Sequence, residues 1–253
     1  YAPYVGENAF ASKAGIHVSA ILKDPSTYEH VAPESIGNQR KIAVSDQAGR
    51  SNILAALEEA GIAIDPKDSR VQRLLDEVKE REFLGYSYDG AGASFELLAR
   101  RLLGEVPEYF LIESFRVLVE RRYNSQGELV TVSEATVKVN VDGDVLISVG
   151  EGNGPVNALD QALRKDLGKY SPYIEDLRLA EFKVRILTSG TEAVTRVMIE
   201  SADGKGNRWF TVGVSPNIVD ASFQALVDSI TYKLLRDGAP APVKSTKKVE
   251  VRV

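Results

Sequence analysis

Residues 149–163, VGEGNGPVNALDQAL, and residues 212–226, VGVSPNIVDASFQAL, decide the fold. Laid over one another, they match Gly150 to Gly213, Val156 to Val219, Ala158 to Ala221 and Leu163 to Leu226. Each passes from an alternating apolar segment through a turn into an amphipathic helix, the pattern of a strand-to-helix junction. Upstream of the first junction, SFRVLVERR sets Phe115, Val117 and Val119 on one face against Arg116 and Glu120. SEATVKVNVDGDVLISVG then alternates through Ala135, Val137, Val139 and Val141 and turns at DGD, a hairpin signal. Downstream, Val156, Leu159, Leu163 and Leu167 form a helical stripe. The order repeats as EFKVRILTS, EAVTRVMIES, the turn ADGKGN and RWFTVGV, closed by a helix with Phe223, Leu226, Ile230 and Leu234 on one side. EATVKV and EAVTRV extend the match at a slightly different offset. The chain therefore contains a duplicated βββα unit, in which each sheet has an apolar face for a helix to cover.

The region before it reads as helical. SNILAALEEAG spaces Ile53, Leu57 and Ala60 for a helix ending at Gly61. DSRVQRLLDEVKERE carries the stripe Val71, Leu74, Leu75 and Val78, with Ser69 and Gln72 spaced as a capping box. AGASFELLARRLLG repeats the pattern through Phe95, Leu98 and Leu102 to Gly104. The expected fold is α+β: mostly helical linker subdomains over 1–106, a duplicated βββα domain over 107–237, and a flexible Pro-rich, then basic, tail over 238–253.

With 43% hydrophobic and 26% charged residues, the 253-residue chain has the composition of an ordinary globular protein. A net charge of −5 argues against a nucleic-acid binder, which needs clustered Lys and Arg. No apolar run approaches a membrane span, and there is no cysteine, which fits a cytoplasmic setting. The chain opens on Tyr1 and its one methionine is Met198, so it is expected to be part of a longer frame.

Two features invite chemistry. His17, in GIH, is one of two histidines. It could serve in proton transfer, or simply end a helical turn and bond a neighbour. GEGNGP and VSPN both bring a turn to a helix N-terminus, where backbone N–H groups favour a carboxylate. Candidate effector-binding residues there are Gly154, Pro155, Val156, Leu159 and Leu163 in the first unit. In the second they are Pro216, Asn217 and Ile218, with Asp220 to receive an ammonium group. Val156, Leu159 and Leu163 read more readily as core, because the stripe continues to Leu167, and Asp220 reads equally as a helix-start acid. GEGNGP is not a dinucleotide fingerprint, lacking the later glycine and acidic residue.

VGENAFASKAGIHVSAILKDPSTYEHVAPESIGNQRKIAVSDQAGRSNI resembles the linker of the 2-isopropylmalate, homocitrate and citramalate synthases. GASFELLARRLLG, ESFRVLVERR, SEATVKV and GEGNGPVNALDQALRKDL carry the resemblance through their regulatory domain, to about Asp237. IGNQRKIAVSDQAGRSNI and SPNIVDASFQALVDSITYKLL resemble the citramalate branch in particular. The resemblance implies an acyltransferase that condenses acetyl-CoA with pyruvate, on a route to isoleucine. In that family a TIM barrel holds a divalent metal through an acidic residue and an HxH pair. No HxH occurs in this sequence, so the chain is expected to carry no metal or other cofactor and to be inactive alone. By resemblance, His17 and Tyr28 are catalytic residues lent to a barrel outside this chain. The duplicated domain is likewise implied to form a homodimer and bind isoleucine as feedback inhibitor. The alternatives are leucine, as in the isopropylmalate branch, or a dimerisation scaffold without a ligand.

Overall fold

The computed structural model describes residues 2–6, 9–12, 15–42, 49–190 and 192–243. The chain divides into two compact units, Tyr1–Glu105 and Val106–Val253.

Among its described residues the first unit contains the α-helices α1 (Gly15–Lys23), α2 (Arg50–Glu59), α3 (Ser69–Phe83) and α4 (Gly92–Leu103). A short parallel pair, β1 (Ala11–Ser12) with β2 (Lys41–Ile42), accompanies them. The stripe Val71, Leu74, Leu75 and Val78 is buried along α3 as its spacing requires. The cap differs from the sequence expectation. Asp68 caps α3 by accepting from the Arg70 amide, and Ser69 is the first helical residue. A carboxylate satisfies that amide and also opposes the helix dipole, so it prevails over the neighbouring hydroxyl. Arg100 on α4 donates to the Ala60 carbonyl beyond α2, joining two helices through one guanidinium.

The second unit contains β3 (Leu111–Tyr123), β4 (Leu129–Val141), β5 (Asp144–Gly152) and α5 (Pro155–Lys165). After α6 (Ser171–Ile174) the pattern recurs as β6 (Arg178–Ile186), β7 (Thr195–Ala202), β8 (Arg208–Ser215) and α7 (Ile218–Arg236). Each half makes a three-stranded antiparallel sheet, β3-β4-β5 and β6-β7-β8. The expected α+β class with a duplicated βββα unit is what forms. Asp142 and Gly143 turn the β4–β5 hairpin with φ of 55° and 91°, the sign that a two-residue primed turn needs.

The helix-facing rows are apolar: Ala135, Val137, Val139 and Val141 on β4, and Val197 and Ile199 on β7. They are covered by Ala158, Leu159, Ala162 and Leu163 of α5 and by Ala221, Ala225, Leu226 and Ile230 of α7. Gly150 and Gly213, matched in the sequence, do the same work in each half. A Cβ on Gly150 would strike the Ala158 carbonyl and Ala162 amide of α5, and one on Gly213 the Ala221 carbonyl of α7. Only glycine lets helix and strand approach so closely.

The same glycines correct one sequence match. Ala135 pairs with Gly150 and Val197 with Gly213, so Ala135 corresponds to Val197 rather than to the alanine of EAVTRV. An even shift along an alternating strand keeps every side chain on its face, so short strand identities cannot fix the register.

Residues 238–243, expected to be part of a flexible tail, lie along the second unit. Tyr170 Oη donates to the Pro240 carbonyl at 3.0 Å and the Val243 amide to Asp142 at 2.8 Å. The rest of that segment, 244–253, falls outside the described residues. Among the described residues no helix is long and apolar enough to cross a membrane.

Candidate functional site

In the first unit, α1 presents His17 near its N-terminus, and the turn after α1 brings Tyr28 back beside it. Their ring centroids are 4.6 Å apart with planes tilted by 40°. Both are exposed, Tyr28 by 51%. The two aromatic residues singled out in the linker thus form one accessible pair, positioned by the Asp24 cap of the intervening turn at the Ser26 amide.

A second pair went unnoticed in the sequence. Tyr4 Oη and His30 Nε2 lie 3.0 Å apart, within hydrogen-bond distance. Asn38 Nδ2 donates to the Tyr4 and Gly6 carbonyls, fixing the segment where Tyr4 adopts φ of 65°. Tyr28 and His30 leave the same turn, so the latch that holds one lies two residues from the other. Long-range pairs of this kind have no sequence period to announce them.

In the second unit the two strand-to-helix junctions differ. At the first, Gly154 occupies the N-cap of α5 without a side-chain cap, and Pro155 opens the helix. The Asn157 side chain turns back to accept from the Asn153 amide. At the second, Asn217 caps α7, its side chain accepting from the Val219 amide at 2.9 Å. The Asp220 carboxylate there accepts from Gln224 Nε2 at 3.0 Å. Pro216, Asn217 and Ile218 are exposed, whereas Gly154, Pro155 and Val156 are half-buried around the open helix start. Leu159 and Leu163 are fully buried in the core of the second unit. The candidate residues at the uncapped start of α5 are therefore Gly154, Pro155 and Val156.

A cavity of about 220 Å³ in the second unit lies elsewhere, lined by Asp203, Trp209, Lys233, Arg236 and Asp237 among others. Its polar groups already serve one another. Lys233, only 2% exposed, meets Asp237 at 2.7 Å, Asp176 at 3.2 Å and Asp203 at 3.6 Å. Burial pushes the Asp203 carboxyl up. Hydrogen bonds from the Asn207 side chain and amide, with Lys233 and the Lys205 amide, outweigh it and bring the carboxyl down to about 2. This cluster fastens the β7–β8 turn to the end of α7, and it is read as structural. Among the described residues no group of three or more His, Asp or Glu side chains could hold a metal ion.

Two family models match the chain. Residues 90–234 match the family model described as the LeuA allosteric (dimerisation) domain. Residues 4–82 match the homocitrate synthase post-HMGL domain-like family. The chain is 50% identical over 237 residues to an (R)-citramalate synthase of Aquifex aeolicus, covering 93% of this chain and 44% of the relative. It is 52% identical over 233 residues to one of Geobacter sulfurreducens, covering 91% and 43%. A probable 2-isopropylmalate synthase of Archaeoglobus fulgidus is 31% identical over 234 residues, covering 92% and 44%. The chain thus spans less than half the length of each of these relatives.

Proposed function

The chain belongs to the LeuA allosteric (dimerisation) domain family, and we propose that it is the linker and regulatory portion of a citramalate synthase. In this reading the second unit dimerises with a copy of itself, binds isoleucine, and conveys inhibition to a barrel that performs the condensation of acetyl-CoA with pyruvate. The divalent metal of that reaction is assigned to the barrel and none to this chain, which is inactive alone. The setting is cytoplasmic.

The observation that carries the effector assignment is the contrast between the two helix starts. The amide ends of α7 already have the Asn217 carbonyl, while α5 begins at a glycine with no side chain to offer. A carboxylate can supply what Gly154 cannot. Dimerisation is supported by Phe182, Val184 and Ile186, a row on edge strand β6 that remains 37%, 42% and 68% exposed although it lies on the helix-facing side. A second copy of the same domain has apolar surface of the same kind to cover it. The paired rings of His17 and Tyr28 support their loan to the barrel as groups that assist proton transfer near its substrate carbonyl.

Melting the chain against millimolar isoleucine, leucine, valine and methionine tests this. An effector at about 100 times its dissociation constant adds roughly 2.7 kcal/mol of stability. A shift confined to isoleucine supports the citramalate reading, one confined to leucine the isopropylmalate alternative. A flat response leaves a dimerisation scaffold.

A further inference from the structure

Ser133 is fully buried on β4, and its hydroxyl has no hydrogen-bond partner among the described residues. An unpaired buried hydroxyl is costly, so it asks for an explanation. Ser133 continues the helix-facing row of Ala135, Val137 and Val139 and sits directly opposite Gly152 in the β4–β5 register. Gly152 leaves room that the first turn of α5 fills. A Cβ there would lie 2.5 Å from Asn157 Oδ1 and 2.5 Å from the Ala158 amide. Ser133 therefore lies on the α5 side of the sheet, across the strand pair from the glycine that the first turn of α5 covers. The second half lacks this arrangement: Thr195 stands opposite Ser215, and Asn217 closes the helix.

We propose that Ser133 is a ligand-binding residue of the α5 junction, donating its hydroxyl to the carboxylate of a short aliphatic α-amino acid. This rests on the effector reading given above and adds to it a side chain that neither the glycine-rich motif nor the helix pattern marks. The backbone supplies the other donors. Pro155 has no N–H, and the amides of Val156 and Asn157, in the first turn, have no carbonyl four residues back within the helix. Asn157 is exposed, and its side chain accepts from the Asn153 amide. Rotation of that carboxamide opens the way to Ser133. The bound acid then gives the hydroxyl the acceptor it lacks in the ligand-free chain. That exchange is a differential interaction between the two states, which any effector needs in order to shift an equilibrium.

The test is Ser133→Ala in the full 253-residue chain, read by calorimetric titration with L-isoleucine and by the melting temperature without ligand. The ligand-free variant should melt at or above the wild-type temperature, because a methyl group needs no partner. Its isoleucine dissociation constant should rise roughly 10- to 100-fold, as for loss of one hydrogen bond to a charged group. 2-Methylbutylamine, which lacks the carboxylate, should bind wild type and variant alike. Affinity within about twofold of wild type, on a scale where 1.4 kcal/mol is tenfold, would overturn the role of Ser133 and leave the effector reading standing. Failure of the wild-type chain to bind isoleucine or leucine would overturn both. An equal loss for the amine would show a packing defect instead of a carboxylate contact, and would also overturn the proposal.

Discussion

The ammonium of Lys233 lies 2.7 Å from the carboxylate of Asp237, one turn further along the same helix end. Asp176 and Asp203 complete its surroundings, so a single buried cation answers three carboxylates carried by three different segments. Burial alone would pull the Lys233 ammonium down; its bonds to Asp237 and Asp176 prevail and hold it above the usual lysine range. Lys233→Met keeps the volume and removes the charge, leaving Asp203, at 3% exposure, without the cation that faces it although still bonded to Asn207. The variant should lose roughly 3 kcal/mol in urea denaturation, the usual penalty for orphaning one member of a buried pair. Adding Asp203→Asn should restore part of that loss. Additive losses in the double variant would show that the two residues are not coupled.

Acid stability should report the same cluster. The Asp203 carboxyl is held down to about 2, and Asp237 is also lowered, burial opposing and bonds from Lys233 and Lys205 prevailing. A carboxyl with a depressed folded pKa contributes stability that is fully present above its unfolded value, about 3.9. That contribution is lost as pH falls through the folded value, because the unfolded chain takes up protons first. Melting temperature should therefore fall between about pH 4 and pH 2, and Asp203→Asn should flatten that fall while lowering stability at neutral pH. Parallel curves for wild type and variant across this window would exclude Asp203 as the titrating group.

Much of this architecture was legible because its parts obey short periods. The α3 stripe, the hairpin at Asp142 and Gly143, and the two glycines under the helices each rest on one local rule. Gly150 and Gly213 were found by matching letters, and the structure supplies the reason in the backbone of Ala158, Ala162 and Ala221. What stayed hidden depends on distant segments meeting. Ser133 is polar in an apolar row, but only its pairing with Gly152 places it at a helix start. Lys233 sits in the last turn of a helix, where a lysine usually marks a solvated end favoured by the dipole. Its burial follows from the β7–β8 turn folding back over it, which no window along α7 contains. The candidate residues of the first junction divide for a similar reason: Leu159 and Leu163 share a stripe with Val156, but they are fully buried while Val156, in the first turn, is half-buried.

The α5 junction offers a substitution with opposite effects on fold and binding. Gly154 has an extended φ of −168°, and a Cβ there would meet nothing within 4 Å. Gly154→Asp supplies the missing N-cap and places its own carboxylate where the effector's is proposed to sit. The ligand-free chain should gain a few tenths of a kcal/mol to about 1 kcal/mol, and the isoleucine-dependent rise in melting temperature should disappear. By contrast, Gly213→Ala forces a Cβ into the Ala221 carbonyl and should cost about 1–3 kcal/mol, as overpacking does. If Gly154→Asp keeps full isoleucine response, the carboxylate does not bind at this helix start.

His17 and Tyr28 should separate stability from turnover. Both are exposed and their rings meet each other at 4.6 Å, so neither supports the core of the first unit. His17→Ala and Tyr28→Phe should leave the melting temperature of the chain within the equivalent of about 0.5 kcal/mol, as surface substitutions do. In the longer enzyme that contains the proposed barrel, citramalate formation should fall by roughly 10²- to 10⁴-fold for His17→Ala, the range for removing a general acid or base. KM for pyruvate should change little if the ring acts only as charge develops in the transition state. Tyr28→Phe preserves the ring contact and removes only the hydroxyl, so it distinguishes a proton-bearing role from simple support of His17. A His17→Ala enzyme turning over within about threefold of wild type, far short of the contribution a general acid or base makes, would remove this histidine from the chemistry and leave the ring pair as a feature of the turn after α1.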